Sequence, residues 1–215
     1  MIDGPRMPPA SGGPARSLVI LLHGYGSNGD DLIGLAPYWR GALPHTAFLS
    51  PNAPERCPGA PGGFQWWGIS SLDRGARAAG AARAAPALSA FIDAELERLG
   101  LDESRLALVG FSQGTMMALH VGPRRPKALA GIVGFSGMVA DEASLAGDGA
   151  LTKPPVLLIH GDADPMIPVA AFHNARALLA DAGFAVEDHV SPGLGHSIDE
   201  AGLRLGGDFL VRALE

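Results

Sequence analysis

Six short apolar runs that alternate with helical patterns constrain the fold of this 215-residue chain more than any other feature. Most of the runs are continuous rather than alternating in polarity, which indicates strands buried on both faces. The clearest helical pattern covers about residues 81–99. Because strand and helix alternate almost throughout, the sequence predicts an α/β fold with a doubly wound, mostly parallel sheet flanked by helices. The predicted strands span residues 18–22, 47–49, 106–109, 129–133, 156–159 and 185–190, and the other helices span 115–120, 169–182 and 199–214.

Length and composition favour one folded domain. The chain is 47% hydrophobic and 18% charged, which is ordinary for a globular protein with one well-buried core. We expect residues 1–16, which are rich in Pro and Gly, to form a flexible N-terminal segment, and residues 17–215 to form the domain. The formal net charge is −6, and the basic residues cluster only at Arg124, Arg125 and Lys127. A nucleic acid partner is therefore not expected.

The number of cysteines and the lengths of the apolar runs limit which covalent or metal sites the chain can form and where in the cell it is expected. Cys57 is the single cysteine, so a disulfide within the chain is excluded and a cysteine-based metal site is not expected. Because Cys57 lies in a loop without a strand–turn–helix setting, we interpret it as an incidental thiol. No apolar stretch approaches the length that crosses a membrane, and the early run at 18–22 is too short for a secretory signal. We expect a cytoplasmic protein without integral membrane association.

The segment Gly110-Phe-Ser-Gln-Gly114 has the pattern of a nucleophile presented on a tight turn. It follows an apolar run and precedes a helical run, which would place Ser112 at the apex of a strand–turn–helix unit. Such a turn strains the backbone, and glycines two residues to either side relieve the crowding. The pattern alone also fits a solvated serine in a Gly-rich turn. A similar segment, Gly134-Phe-Ser-Gly-Met138, lacks the second glycine and the helix, so we interpret Ser136 as a strand-end residue.

A serine nucleophile needs a base, and the base needs an orienting acid. In an open parallel sheet, functional residues gather at the carboxyl ends of the strands. Of the seven histidines, His196 alone lies in a Gly-rich loop after the last predicted strand and before the last helix, which makes it the predicted base. Asp162 and Asp164 follow another predicted strand. We expect Asp162 to cap the turn, and Asp164, which Pro165 holds extended, to be the acid.

Acyl transfer also needs two N–H donors for the oxyanion of the tetrahedral intermediate. The N–H of Gln113, next to the nucleophile, is one predicted donor. Tyr25 is predicted to supply the other, because it lies in the loop after the first strand. Its neighbours Gly24 and Gly26 let that backbone approach a substrate closely.

With these motifs, the chain resembles the phospholipase/carboxylesterase family of α/β-hydrolases, which includes the acyl-protein thioesterases. The resemblance covers nearly the whole chain, and it implies the α/β-hydrolase fold, in which the triad follows the order Ser112, Asp164, His196. It further implies hydrolysis of carboxylic esters and some thioesters without a metal or cofactor, and it makes a homodimer a candidate quaternary structure. Thr115 departs from the family, which usually has a glycine there. The motifs that carry the resemblance are Leu22-His-Gly-Tyr-Gly26, Ser50-Pro-Asn-Ala-Pro54, Gly110-Phe-Ser-Gln-Gly114, His160-Gly-Asp-Ala-Asp-Pro-Met-Ile-Pro168 and Gly195-His196.

The substrate pocket is harder to read from the sequence. Trp66 and Trp67, in a long loop rich in Pro and Gly, are candidates for a pocket wall, as are Met138, Met166 and Ile167 at other strand ends. For each of them an ordinary core or loop role is an equally good interpretation. The connection across 138–153 is too short for a large lid domain. We therefore expect an open, shallow site for short- to medium-chain esters.

Three alternatives compete with a serine carboxylesterase. The same site could serve an acyl-protein thioesterase or a lysophospholipase. A dienelactone-hydrolase-like enzyme would carry cysteine in place of Ser112. A non-catalytic ligand-binding module on the same scaffold would carry a broken triad, because fold alone does not fix function. The intact set of Ser112, Asp164 and His196 favours the esterase.

Overall fold

The computed structural model describes residues 2–69, 73–145 and 151–215. Within these residues the central sheet has seven strands. They are β1 (Arg6–Met7), β2 (Ser17–Leu22), β3 (Thr46–Leu49), β6 (Leu106–Phe111), β7 (Gly131–Phe135), β8 (Val156–Gly161) and β9 (Val186–Ser191), and β4 (Glu55–Arg56) and β5 (Phe64–Gln65) form a separate hairpin. The order across the central sheet is β1-β3-β2-β6-β7-β8-β9. β1 pairs with β3 in the antiparallel sense, and the other neighbours pair in parallel, which confirms the predicted doubly wound sheet.

Helices cover both faces of the sheet, and successive residues of one strand belong to different layers. In β6, Leu108 packs in the layer that contains Phe91, whereas Val109 packs in the layer that contains Trp39 and Leu210. This alternation explains why the central strands read as continuous apolar runs. The helices are α1 (Gly29–Leu32), α2 (Ala36–Trp39), α3 (Arg74–Leu99), α4 (Gln113–Val121), α5 (Val169–Asp181) and α6 (Glu200–Leu214), with 3-10 turns at Ile33–Leu35, Glu103–Arg105, Gly122–Arg124 and Ala143–Leu145.

The N-terminal segment contributes a strand that the sequence analysis did not predict. Arg6–Met7 pairs with the edge strand β3, where Arg6 lies opposite Leu49. The guanidinium of Arg6 also contacts Glu95, a carboxylate on α3 that is only 4% exposed. Two residues are too short for a recognisable pattern, and the ion pair joins positions that are far apart in the sequence. Part of the segment at 1–16, expected to be flexible, is therefore tied to the sheet.

The helix α3 begins earlier than the apolar periodicity suggests. It starts at Arg74 rather than near residue 81, because the Asp73 side chain accepts a hydrogen bond from the Ala76 N–H at 2.7 Å and caps the helix. Pro86 lies inside the helix. The helix ends where predicted, at Gly100, which adopts the left-handed conformation with φ of 66°. The early start brings the first turns of α3 beside the loop that contains Trp67. None of the helices in the described ranges has the length and apolar character needed to span a bilayer.

Acid is expected to destabilise the fold through His120, which lies on the buried α4. Burial, followed by the nearby charge of Arg124, lowers the pKa of His120 from 6.5 to about 4. Between these values the unfolded chain takes up a proton that the native protein does not. Stability that is present above pH 6.5 is therefore lost as the pH falls towards 4.

We expect the free energy of unfolding, measured in urea, to fall between pH 7 and pH 5 by about 2 kcal/mol more in the wild type than in a His120→Leu variant. The same pH dependence in both proteins would contradict this role for His120.

Candidate active site

The carboxyl ends of four parallel strands bring the predicted functional residues to one edge of the sheet. Tyr25 follows β2, Ser112 follows β6, Asp164 follows β8 and His196 follows β9. β2, β6, β7, β8 and β9 are consecutive neighbours in the sheet. This arrangement agrees with the general location of sites in open α/β sheets.

Ser112 lies on a sharp turn between β6 and α4. Its backbone has φ of 54° and ψ of −116°, a positive φ that non-glycine residues rarely adopt. The turn is possible because two glycines leave room for close backbone contacts. A Cβ built on Gly110 would lie 2.4 Å from the Thr115 nitrogen, and one on Gly114 would lie 1.8 Å from the Leu22 carbonyl oxygen. The strained turn therefore holds the Ser112 side chain at the end of the sheet, as the sequence pattern predicts.

His196 and Asp164 form a hydrogen-bonded pair. The distance from His196 Nδ1 to Asp164 Oδ2 is 2.7 Å, and the Asp164 side chain is fully buried. The other oxygen, Asp164 Oδ1, accepts hydrogen bonds from the N–H groups of Met166 at 2.8 Å and Ile167 at 2.9 Å. His160 Nε2 lies 3.4 Å from Oδ2 and contacts the Ile167 carbonyl oxygen at 2.8 Å.

These contacts keep Asp164 ionised. Burial alone would raise the pKa of Asp164, but the hydrogen bonds from the Ile167 N–H, His196 and the Met166 N–H outweigh it and lower the pKa below its ordinary value. Because an ionised carboxylate only accepts hydrogen bonds, His196 carries its proton on Nδ1 and presents Nε2 as the basic nitrogen.

Asp162 lies nearby but has a different partner. Its Oδ1 accepts a hydrogen bond from the Gly193 N–H at 2.6 Å, which ties the loop after β8 to the loop that carries His196. The geometry of Asp162 matches the turn role expected for it and leaves Asp164 as the carboxylate that contacts His196.

Two backbone N–H groups beside Ser112 are available to a ligand. Among the residues that the structure describes, the N–H groups of Tyr25 and Gln113 have no hydrogen-bond partner. The Gln113 N–H is at the first position of α4, where helix geometry leaves such donors unpaired. The turn that contains Tyr25 is fixed by His23, because the Ala53 N–H donates to His23 Nε2 at 2.9 Å. His23 Nδ1 therefore carries the proton and donates it to the Gly24 carbonyl oxygen at 2.7 Å.

A cavity of about 450 Å³ opens at this edge of the sheet, and both Ser112 and His196 line it. Trp66 does not line it. The Trp66 side chain is 1% exposed, and its Nε1–H donates to the His23 carbonyl oxygen at 3.0 Å, so the prediction that it forms a pocket wall needs correction. Asp164 does not line the cavity either, but it contacts His196, which does. The remaining predicted site residues lie in the lining, and four further lining residues were not predicted. The predicted ones are Tyr25, Trp67, Gln113, Met138, Met166 and Ile167, and the additional ones are Ile69, Arg77, Met116 and Pro168.

Comparison with known proteins assigns the family. The sequence profile named Phospholipase/Carboxylesterase matches residues 9–213. The chain belongs to the phospholipase/carboxylesterase family. Acyl-protein thioesterase 1 of Schizosaccharomyces pombe is 34% identical over 188 residues, which cover 84% of this chain and 83% of that protein. Esterase YpfH of Escherichia coli is 28% identical and covers 92% of this chain and 83% of its own length. The crystal structure of esterase PE8 superposes with a TM-score of 0.94 and 45% identity, covering 99% of each chain.

Membership of the phospholipase/carboxylesterase family confirms the α/β-hydrolase fold and the class of enzyme. The family and the esterase structure agree with the parallel sheet found here. In the described residues, no large lid domain covers the cavity that opens at the carboxyl edge of the sheet. This family member is therefore a hydrolase that acts on ester bonds.

The side chain of Thr115 accounts for the glycine in the second Gly-Phe-Ser segment, Gly134–Met138. Thr115 Oγ1 donates to the Phe135 carbonyl oxygen at 2.8 Å. A Cβ built on Gly137 would lie 2.3 Å from Thr115 Cβ, so the glycine of the second segment leaves room for the threonine. Ser136, with φ of 47°, donates to the Ser197 carbonyl oxygen at 3.2 Å rather than lining the cavity.

The side chain of Gln113 makes two contacts that sequence reasoning missed. Its buried side-chain amide accepts a hydrogen bond from the Trp66 N–H at 2.9 Å and donates one to the Trp67 carbonyl oxygen at 2.9 Å. The residue after Ser112 therefore holds the loop that supplies Trp67 to the cavity wall. The sequence gives no signal for this contact, because it joins positions more than 40 residues apart.

Proposed function

We propose that this hydrolase is a serine carboxylesterase that acts on short- to medium-chain carboxylic esters through an acyl-enzyme. One observation carries the proposal: Ser112, on its strained turn, shares a cavity with His196, whose Nδ1 lies 2.7 Å from the buried carboxylate of Asp164. A nucleophile, a base and an orienting acid in this relation are the requirement for acyl transfer.

In the acylation step, His196 Nε2 removes the proton from Ser112 Oγ, and the oxygen attacks the ester carbonyl carbon. The resulting oxyanion is stabilised by the N–H groups of Tyr25 and Gln113. The bond from the carbonyl carbon to the alcohol oxygen then breaks, and His196 protonates the departing alcohol. Asp164 holds His196 in the correct tautomer and stabilises its charged form, without taking up the proton itself.

Deacylation repeats the sequence with water as the nucleophile. His196 removes a proton from water, the hydroxide attacks the acyl carbon, and the bond to Ser112 Oγ breaks as the serine regains its proton. The net reaction consumes one ester and one water and yields one acid and one alcohol. Every proton transfer uses the single basic nitrogen, His196 Nε2.

The preferred acyl chain follows from the size and walls of the cavity. Its volume of about 450 Å³ is at the small end of ligand pockets, and its lining includes Met116, Met138, Met166, Ile69 and Trp67. Methionine side chains are flexible and adapt to different apolar shapes. We expect kcat/KM for 4-nitrophenyl esters to be highest between acetate and octanoate, and to fall at least about tenfold for palmitate, which corresponds to about 1.4 kcal/mol. Faster hydrolysis of palmitate than of butyrate would contradict the proposal.

Thioester hydrolysis is the second candidate, favoured by the 34% identity to acyl-protein thioesterase 1 of Schizosaccharomyces pombe. The same three side chains would attack a thioester carbonyl, so the catalytic residues do not separate the two activities. Butyrate and octanoate presented as matched oxygen esters and thioesters decide between them. A higher kcat/KM for both thioesters would support a thioesterase, and lysophosphatidylcholine added to the set tests lysophospholipase activity.

A further inference from the structure

Arg77 is an unexpected component of the cavity wall. Most of the side chains around it are apolar or aromatic. Among the described residues that line the cavity, Arg77 is the one that carries a permanent charge, and its side chain is only 12% exposed. A sheltered charge interacts more strongly with a ligand than an exposed one, because less water screens it.

The position of Arg77 on α3 directs it towards the cavity. Gly80, three residues later, packs against Trp67 so closely that a built Cβ would lie 2.4 Å from Trp67 Cγ. Residues three apart on a helix share a face, and Trp67 itself lines the cavity. The face of α3 that contacts the Trp67 ring is therefore also the face that presents Arg77.

Arg77 faces the carboxylate of Glu142, which it shares with a second arginine. Glu142 Oε1 lies 3.7 Å from Arg77 Nη2, whereas Glu142 Oε2 lies 3.2 Å from Arg74 Nη1. Arg74 lines a neighbouring groove rather than the cavity, and at 78% exposure its charge is more strongly screened by water than that of Arg77. Asp73 is also close in sequence, and its Oδ1 accepts the hydrogen bond that caps α3. A guanidinium has five N–H donors, so Arg77 can bind a ligand carboxylate in addition to Glu142.

We propose that Arg77 makes this cavity selective for esters that carry a second, ionised carboxylate. The inference rests on the proposed esterase function and specifies its substrate class. Ser112 attacks the ester carbonyl, and the guanidinium of Arg77 binds the unreacted carboxylate across the apolar lining. Arg77 is thus a specificity-determining residue that binds substrate away from the reacting atoms.

A neighbouring groove provides space for such a substrate. It has a volume of about 390 Å³ and shares two lining residues with the cavity, Arg77 and Met138. Arg77 therefore lies at the junction of the cavity and the groove. Because Ser112 and Arg77 line the same cavity, the proposed substrate extends from Ser112 towards this junction, with its carboxylate at the guanidinium.

The test compares substrates that differ only in charge. Monoethyl succinate, glutarate and adipate are paired with the ethyl esters of the corresponding primary amides, which keep the shape and lose the charge. A second set places the carboxylate in the alcohol, as acetate esters of 3-hydroxypropanoate and 4-hydroxybutanoate with their amides. The enzymes are the wild type, Arg77→Met, Arg77→Lys and Arg74→Met, each checked for folding by thermal unfolding.

We expect the wild type to show a higher kcat/KM for the carboxylate than for the amide in at least one pair, by about 10- to 100-fold. Arg77→Met should abolish that preference, Arg77→Lys should restore part of it, and Arg74→Met should keep it. The set in which the preference occurs identifies whether the charge belongs to the acyl or the alcohol part.

The inference is overturned if the wild type prefers the carboxylate in no pair of either set, or if the preference persists in Arg77→Met. The wild-type comparison decides even if Arg77→Met does not fold. Failure of the esterase function itself would look different, because neither the amide nor the carboxylate esters would then be hydrolysed through Ser112.

Discussion

Replacing Ser112 by Ala is expected to lower kcat for ester hydrolysis by about 10⁴- to 10⁶-fold while the protein stays folded. The change removes the attacking oxygen and leaves the turn, the His196–Asp164 pair and the free N–H groups in place. What remains is binding and oxyanion stabilisation, which together support only slow attack by water. Steady-state kinetics with 4-nitrophenyl butyrate measure the loss, and circular dichroism verifies the fold.

Ser136→Ala is the matched control for this prediction. Ser136 also follows a strand and also has a positive φ, but its hydroxyl donates to the Ser197 carbonyl oxygen. Loss of this one hydrogen bond should change kcat less than about tenfold. Retention of most activity in Ser112→Ala, or its loss in Ser136→Ala, would mean that the wrong serine has been assigned.

Replacing Asp164 by Asn is expected to lower kcat by about 10⁴-fold with little change in KM. Asn can still accept hydrogen bonds from the N–H groups of Met166 and Ile167 through its oxygen. Its amide nitrogen would then face His196 Nδ1, which lies 2.7 Å from Asp164 Oδ2. Because an amide N–H donates, His196 would shift its proton to Nε2 and lose the basic nitrogen that Ser112 needs.

Asp162→Asn is the corresponding control. The amide oxygen of Asn can keep the hydrogen bond from the Gly193 N–H, so the loop should hold its shape. We therefore expect kcat to stay within about threefold of the wild type, which corresponds to a change in activation free energy of less than about 1 kcal/mol. A larger loss in Asp162→Asn than in Asp164→Asn, measured with the same ester, would exchange the assigned roles of the two carboxylates.

The features that sequence patterns located are those with local causes. Buried parallel strands appear in the sequence as apolar runs, and the sharp turn at Ser112 requires glycines at fixed positions. Both patterns are visible without a structure. The proximity of His196 and Asp164 could be predicted because parallel strands of one sheet end at one edge. In each case, a short segment and a general rule of topology were sufficient.

The features that the sequence did not reveal depend on contacts between distant segments. Trp66 and Trp67 are adjacent, and nothing local indicates that Trp66 packs in the core while Trp67 faces the cavity. Arg77 was missed because residues 74–80 lack apolar periodicity, although Asp73 is a typical helix cap that could have indicated the earlier start. The side-chain hydrogen bonds of Gln113 reach across more than 40 residues.

The most direct test of the central claim is to identify the residue that a fluorophosphonate modifies. The probe reacts with an activated serine and forms a stable phosphonyl adduct, which mass spectrometry can locate after proteolysis. The proposal predicts one adduct per chain, on the peptide that contains Ser112, and none in Ser112→Ala. An adduct on Ser136 or another residue, or an unmodified wild type that hydrolyses esters, would contradict the assignment of Ser112 as the nucleophile.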